Sequence, residues 1–265
     1  MSVIDAILLG ILQGATEFLP VSSSGHLVLA QQFLADFQQP GVLFDVLLHV
    51  GTMVAVVIYF WRDLAGLIGS LWQSGAEADR QRSLLGLLVA GSIPTAAIGL
   101  SFKDFFETLF DRPDLVCLML LVTGSLLWLA QRLRPKGLAR RRLNLLDALI
   151  VGTAQGAAII PGISRSGATI ATLLLRGVDG ETAARFSFLL ALPAVSGAAL
   201  LSLRDIGGIP QGSNLAYLAG ALAAMVTGLA CIHLLLAVVR NQRLHWFALY
   251  CWGVGLVGGL LFVSQ

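Results

Sequence analysis

The chain has 265 residues, of which 57% are hydrophobic and only 12% charged, and its mean hydropathy is +0.84. A soluble core this apolar would need a polar shell that the composition does not supply, which points to an integral membrane protein and excludes an ordinary soluble domain. The net charge of +2 gives no footing for nucleic acid, and Cys117, Cys231 and Cys251 lie too far apart for a metal knuckle or a disulfide framework.

The chain opens Met-Ser-Val-Ile-Asp, without the basic stretch that precedes the apolar run of a cleavable signal peptide. A first apolar segment, 3–19, runs into a Pro/Ser/Gly turn at 20–25, and a short apolar segment, 26–36, follows. Neither segment reaches the ~20 residues of a comfortable span. A turn of that composition is tolerated at membrane depth only within protein or beside water, so a re-entrant helical hairpin is predicted. Segments 42–61, 84–101 and 115–131 are predicted as full spans. The plan then recurs: a segment at 145–160, a turn at 161–167, a short segment at 168–176, and spans at 186–202, 215–239 and 246–264.

The recurrence is visible residue by residue. A shift of 142 positions lays 5–25 on 147–167 without a gap, with nine of 21 positions identical, among them Asp5/Asp147, Gln13/Gln155, Ser22/Ser164 and Ser24/Ser166. In-register polar matches point to an internal duplication, with a first repeat at 1–132 and a second at 143–265 forming one membrane domain. A hairpin returns to its own side and three spans cross, so the second repeat is expected to be inverted. Such architectures place a site near the midplane. The expected fold is therefore all-α and polytopic, with six full transmembrane helices and two re-entrant hairpins of four short helices. Residues 132–143 carry six Lys or Arg and are assigned to the cytoplasm. Threading outward from that loop puts 13 cations on the cytoplasmic side and three on the other, with Arg165 left in the second turn and both termini outside.

The two turns concentrate the polar chemistry. Gln13 and Glu17, at i and i+4, share a helix face, and a carboxylate at bilayer depth calls for a cavity, a cation or a basic partner. Pro20 and Pro161 end the entering helices, and Gly25 and Gly167 lie at the ends of the turns. Ser24 and Ser166 are placed to cap the helices that follow, whose free N–H groups and dipoles suit an anion. Arg165 supplies a planar fork for phosphate oxygens, or a structural partner for Glu17. His26, three residues after Ser23, is positioned as a general base toward that hydroxyl or a general acid toward a leaving oxygen. His49, His233 and His245 lack comparable company; His49, one turn beyond Asp45, is a candidate to line the cavity, while His233 and His245 are read as structural or interfacial.

At these residues the sequence resembles the undecaprenyl-pyrophosphate phosphatase family of the bacitracin-resistance type. The family's first motif, Glu/Gln-x-x-x-Glu with Pro-x-Ser-Ser-Ser/Thr-Gly-His, reads here as Gln13, Glu17, Pro20, Ser22, Ser23, Ser24, Gly25 and His26. Its second, Pro-Gly-x-Ser-Arg-Ser-Gly-x-Thr, reads as Pro161, Gly162, Ser164, Arg165, Ser166, Gly167 and Thr169. The resemblance implies a bacterial cytoplasmic-membrane enzyme that removes the terminal phosphate of a C55 polyprenyl pyrophosphate, giving the monophosphate carrier lipid of cell-wall synthesis. It implies dependence on a divalent cation, Mg2+ or Ca2+, and a site open to the outer face. Glu17, Ser23, His26 and Arg165 are the expected catalytic residues. Gln13, Ser22, Ser24, Gly25, Ser164, Ser166, Gly167 and Thr169 are the expected substrate-binding residues. Glu17, with Gln13, is a candidate cation ligand, although many members carry Glu at the Gln13 position and the amide weakens a two-carboxylate site. The bilayer and the lipid substrate are the expected partners, a homodimer is a possible assembly, and nucleic acid is not expected. A lipid or solute transporter, or flippase, built on the same cavity is the rival function.

Overall fold

The structure is a computed structural model that describes residues 2–33, 43–135, 142–204, 212–241 and 243–262, without the side chains of 201–204. Residues 34–36 of the first short segment, 42 and 263–264 at the ends of two predicted spans, 136–141 of the basic loop and the Arg204 side chain lie outside the described residues. The described chain is all-helical: α1 (Val3–Phe18), α2 (Ser23–Gln31), α3 (Leu43–Tyr59), α4 (Trp61–Gly69), α5 (Ala76–Ser101), α6 (Lys103–Leu109), α7 (Pro113–Leu133), α8 (Leu145–Ala157), α9 (Arg165–Leu175), α10 (Gly180–Arg204), α11 (Asn214–Arg240) and α12 (His245–Phe262).

Five of these helices, α5, α7, α10, α11 and α12, are long and apolar enough to cross a membrane on their own. The sixth predicted span differs. α3 qualifies only together with α4, and the two meet at a 72° bend. α4 and α6 were not expected as separate helices. Both are short, and each carries an acidic first turn, Asp63 in α4 and Asp104 in α6, which complements the helix dipole. Asp63 pairs with Arg185 of α10.

Local signals at the start of each half are the same. Ser2 accepts from Asp5 N while the Asp5 side chain accepts from Ser2 N, and Asn144 and Asp147 make the same reciprocal box 142 positions later. Asp147 is fully buried and paired with Arg176, which ties the start of α8 to the end of α9.

The helices pair crosswise: α1 packs along α11, α8 along α5, and α7 along α12. Small residues permit the approach. A Cβ on Gly10 would lie 2.2 Å from the Gly220 carbonyl oxygen, and one on Gly152 would lie 1.9 Å from that of Gly91. One turn on, a Cβ on Gly14 would lie 2.5 Å from the Ala224 carbonyl oxygen and one on Gly156 would lie 2.7 Å from the Ile98 side chain, so both helices use a Gly-x-x-x-Gly spacing for close approach. The main core lies under the bends, where Phe18, Phe60, Phe186 and Phe188 gather with Ile170, Leu173 and Leu190. The large apolar side chains on the outside, Ile93, Val226 and Leu256 among them, face where lipid would lie.

Candidate active site

The two bends touch. A Cβ on Gly25 would be 3.1 Å from Gly162 Cα, one on Gly167 would be 3.3 Å from Pro20 Cβ, and Ser166 Oγ donates to the Leu19 carbonyl at 3.2 Å. Glu17, near the end of α1, therefore faces the start of α9. Its Oε1 accepts from Arg165 Nη2 at 2.5 Å, and its Oε2 accepts from Ser23 Oγ at 2.5 Å and Gln13 Nε2 at 3.1 Å. Glu17 is 8% exposed, and a guanidinium 148 positions away in sequence provides its countercharge. Arg165 is not saturated: its Nη1 is buried without an acceptor among the described residues. A charged N–H left so costs about 1–3 kcal/mol or more, which makes it a ready seat for an anionic oxygen.

The caps differ from expectation. Ser22 and Ser164, not Ser24 and Ser166, are the N-caps, accepting from Gly25 N at 3.3 Å and Gly167 N at 3.0 Å. Capping requires a residue just outside the helix, and Ser23 and Arg165 already occupy the first helical positions. Ser24 and Ser166 instead turn toward those caps, at 3.4 and 3.3 Å. The amides of the first two residues of each helix have no intrahelical carbonyl to meet, so two helix starts flank the Glu17–Arg165 pair. Ser22 has φ 70°, the only positive φ at a non-glycine position among the described residues, a strain of about 1–3 kcal/mol. Thr123 of α7 holds the second bend from behind, donating to the Gly162 carbonyl and accepting from Ser164 N.

His26 does not join Ser23 and Glu17. Its Nδ1 lies 2.7 Å from the Ser22 carbonyl and its Nε2 lies 2.8 Å from the hydroxyl of Tyr250 on α12. Ser23 turns back to α1 while His26 turns toward α12, so a common helix does not give them a common partner. The imidazole next to Glu17 is that of His49, with Nε2 3.6 Å from Oε2 and Nδ1 2.8 Å from the Asp45 carbonyl. Its only sequence signal was the polar Asp45 one turn before it. Thr169 also lies apart. Its hydroxyl is fully buried among the Arg165 and Ser166 carbonyls and Ser187 Oγ, bracing α9 against α10.

A divalent cation fits these side chains poorly. Among the described residues no three His, Cys, Asp or Glu groups come together as ligands. Both Glu17 oxygens are engaged by donors, one of them a cation, and Gln13 presents its Nε2, not its oxygen, to that carboxylate. Gln13 Oε1 is a buried acceptor without a partner among the described residues, a single oxygen rather than a ligand set. A hard dication prefers six or more oxygens.

The family described as bacitracin resistance protein BacA matches residues 6–257, a range that includes both bends. The chain belongs to this family. Among the relatives, a protein of Syntrophotalea carbinolica named undecaprenyl-diphosphatase is 57% identical over 99% of this chain and 98% of its own length. Proteins of the same name from Moorella thermoacetica and Methanobrevibacter smithii are 45% and 39% identical, covering 94% and 97% of this chain and 94% and 96% of their own lengths. In this BacA-family protein the two Pro/Ser/Gly motifs read from the sequence lie at the two bends that meet.

Proposed function

We propose that this multi-pass membrane protein is an undecaprenyl-diphosphatase, a hydrolase that converts the C55 diphosphate to the monophosphate and inorganic phosphate. The observation that carries the proposal is Glu17 held between Ser23 and Arg165, with Arg165 Nη1, which has no acceptor among the described residues, placed to donate to a phosphoryl oxygen. The names of the relatives support the same activity. Nothing about that cluster favours the transporter, since a passage does not need a hydroxyl bonded to a carboxylate.

In the proposed reaction the terminal phosphoryl group enters between the two helix starts, and Arg165 spans its oxygens and Glu17. Ser23 Oγ attacks the terminal phosphorus, its proton passes to Glu17, and the lipid monophosphate leaves. Water then attacks the phosphoserine and gives its proton to the His49 imidazole, whose Nε2 lies 3.6 Å from Glu17 Oε2, and Glu17 returns its own proton to Ser23 as phosphate departs. Direct attack by water is the competing route. Because the side chains offer a poor cation site, a divalent ion is proposed to be held by the diphosphate rather than by Glu17 and Gln13.

The two halves are proposed to be an inverted repeat with re-entrant hairpins. The matching cap boxes and crosswise pairing support this, as do the lengths of α1 and α8. Their 16 and 13 residues rise about 24 and 20 Å, short of a ~30 Å hydrocarbon core. Opening toward the outer face is proposed from the family resemblance, since a midplane site between inverted hairpins could open to either side. Phosphate release from undecaprenyl diphosphate by the purified protein tests the activity. Lipid movement across liposomes without phosphate release would refute it.

A further inference from the structure

Within the proposed phosphatase reading, Arg165 must present Nη1 at a fixed place while Nη2 holds Glu17. Arg165 is the first residue of α9, so its backbone is placed by the turn just before it. One backbone hydrogen bond closes that turn, from Ile163 N to the Ile160 carbonyl at 3.1 Å. Pro161 lacks an N–H and Gly162 stands at φ 92°. Neither the Gly162 carbonyl nor the Ser164 N–H has a backbone partner among the described residues. Thr123 on α7 takes both: its Oγ1 donates to Gly162 O at 2.8 Å and accepts from Ser164 N at 3.0 Å. A serine or threonine inside a helix can bond back to the carbonyl four residues earlier, as Thr16, Ser92, Ser125 and Thr153 do here. Thr123 is buried and reaches across to another segment instead. The approach is close, since a Cβ on Gly162 would lie 2.4 Å from the Val116 carbonyl oxygen of α7.

The first bend is held in the same manner from the other half. The carbonyl 142 positions before that of Gly162 belongs to Pro20, and Cys251 Sγ of α12 donates to it at 3.8 Å. The last helix of each half therefore pins the bend of the other. The two pins are unequal: a thiol is a weak donor, whereas the hydroxyl both donates and accepts. The stronger one serves the bend that carries the guanidinium.

We propose that Thr123 is the positioning residue of Arg165: by fixing the turn at Gly162 and Ser164 it sets where the guanidinium stands between Glu17 and a phosphoryl oxygen. A displacement of about 1 Å at such a group can cost about a hundredfold in rate.

The test uses the full-length protein with 15N-labelled arginine, the Arg165 side-chain signals being assigned by comparison with Arg165→Lys. Thr123→Val keeps the shape of the side chain and removes the hydroxyl. It should move the Arg165 guanidinium signals and lower kcat/KM on a prenyl diphosphate about tenfold. Thr123→Ser restores the hydroxyl and should keep the signals in place, with kcat/KM within about threefold of wild type. Thr123→Cys copies the weaker pin of the other bend and should fall between these two in both readouts. Thr95→Val is the control for a buried structural hydroxyl. Thr95 donates to the Gly152 carbonyl at 2.8 Å and accepts from Gln155 Nε2 at 3.2 Å, joining α5 to the middle of α8, and its loss should leave the Arg165 signals and kcat/KM unchanged. Unmoved Arg165 signals in Thr123→Val and Thr123→Cys, moved signals with unchanged kcat/KM, or an equal effect of Thr95→Val would overturn the assignment. An absence of phosphate release by the wild type would remove the phosphatase reading alone, because the Arg165 signals still report whether Thr123 places the guanidinium.

Discussion

Replacing Arg165 by Lys keeps the charge and removes the fork. Arg165 has two functional ends, Nη2 on Glu17 Oε1 at 2.5 Å and Nη1 buried with no acceptor among the described residues. An ammonium can hold Glu17 or reach a phosphoryl oxygen, but one point charge cannot span both in the planar geometry of a guanidinium. The variant therefore loses one charge-assisted hydrogen bond, a loss of about 1.5–3 kcal/mol. At 1.4 kcal/mol per factor of ten, kcat/KM should fall about 10- to 150-fold. The pair with Glu17 persists, so thermal unfolding in detergent should shift little. The assay is phosphate release across a range of prenyl diphosphate concentrations, with Glu17→Gln and the double variant completing a cycle. If Arg165→Lys stayed within about threefold of wild type, the bridging role of the guanidinium would be wrong.

Four further outcomes are expected. Ser23→Ala should lower kcat by about a hundredfold or more if the hydroxyl is the nucleophile, and a loss below about twofold in a phosphate-release assay would assign the attack to water. Gly152→Ala places a methyl 1.9 Å from the Gly91 carbonyl oxygen and should destabilise the fold by about 1–3 kcal/mol, seen as a lower unfolding temperature. Gly253→Ala, with open space around it, should be silent in the same measurement. The paramagnetic resonance of Mn2+ should show no stoichiometric bound ion with protein alone and one bound ion when methylenebisphosphonate is added. Tight binding to the free protein that is lost in Glu17→Gln would place the cation on the carboxylate instead.

Local spacing made much of the site legible. Gln13 and Glu17 meet because residues four apart share a helix face, and Pro, Ser and Gly in both motifs mark the two bends. The 142-position shift pairs Asp5 with Asp147 and Gly10 and Gly14 with Gly152 and Gly156; only the structure shows that these build two cap boxes and two close helix contacts. The caps themselves were misplaced by two residues, because serine content fixes that a cap exists but backbone dihedrals fix which serine it is. α4 and the 72° bend before it escaped notice, since the apolar run continues through Tyr59 and Phe60 without a proline or glycine to mark the break.

The amino-acid order alone determined that this chain is a membrane-embedded helical protein, that it doubles back on its own pattern, and that serines, a carboxylate, an imidazole and a guanidinium sit beside its bends. These are properties of composition and of spacings of a few residues, which helix geometry converts directly into neighbours. Packing decided the rest: that Glu17 binds Arg165, that His49 rather than His26 stands beside it, and that His26 belongs with Tyr250. Those contacts join residues 32 to 224 positions apart. Their geometry depends on how closely glycine-faced helices approach one another, a distance set by both surfaces at once and written in neither stretch of sequence alone.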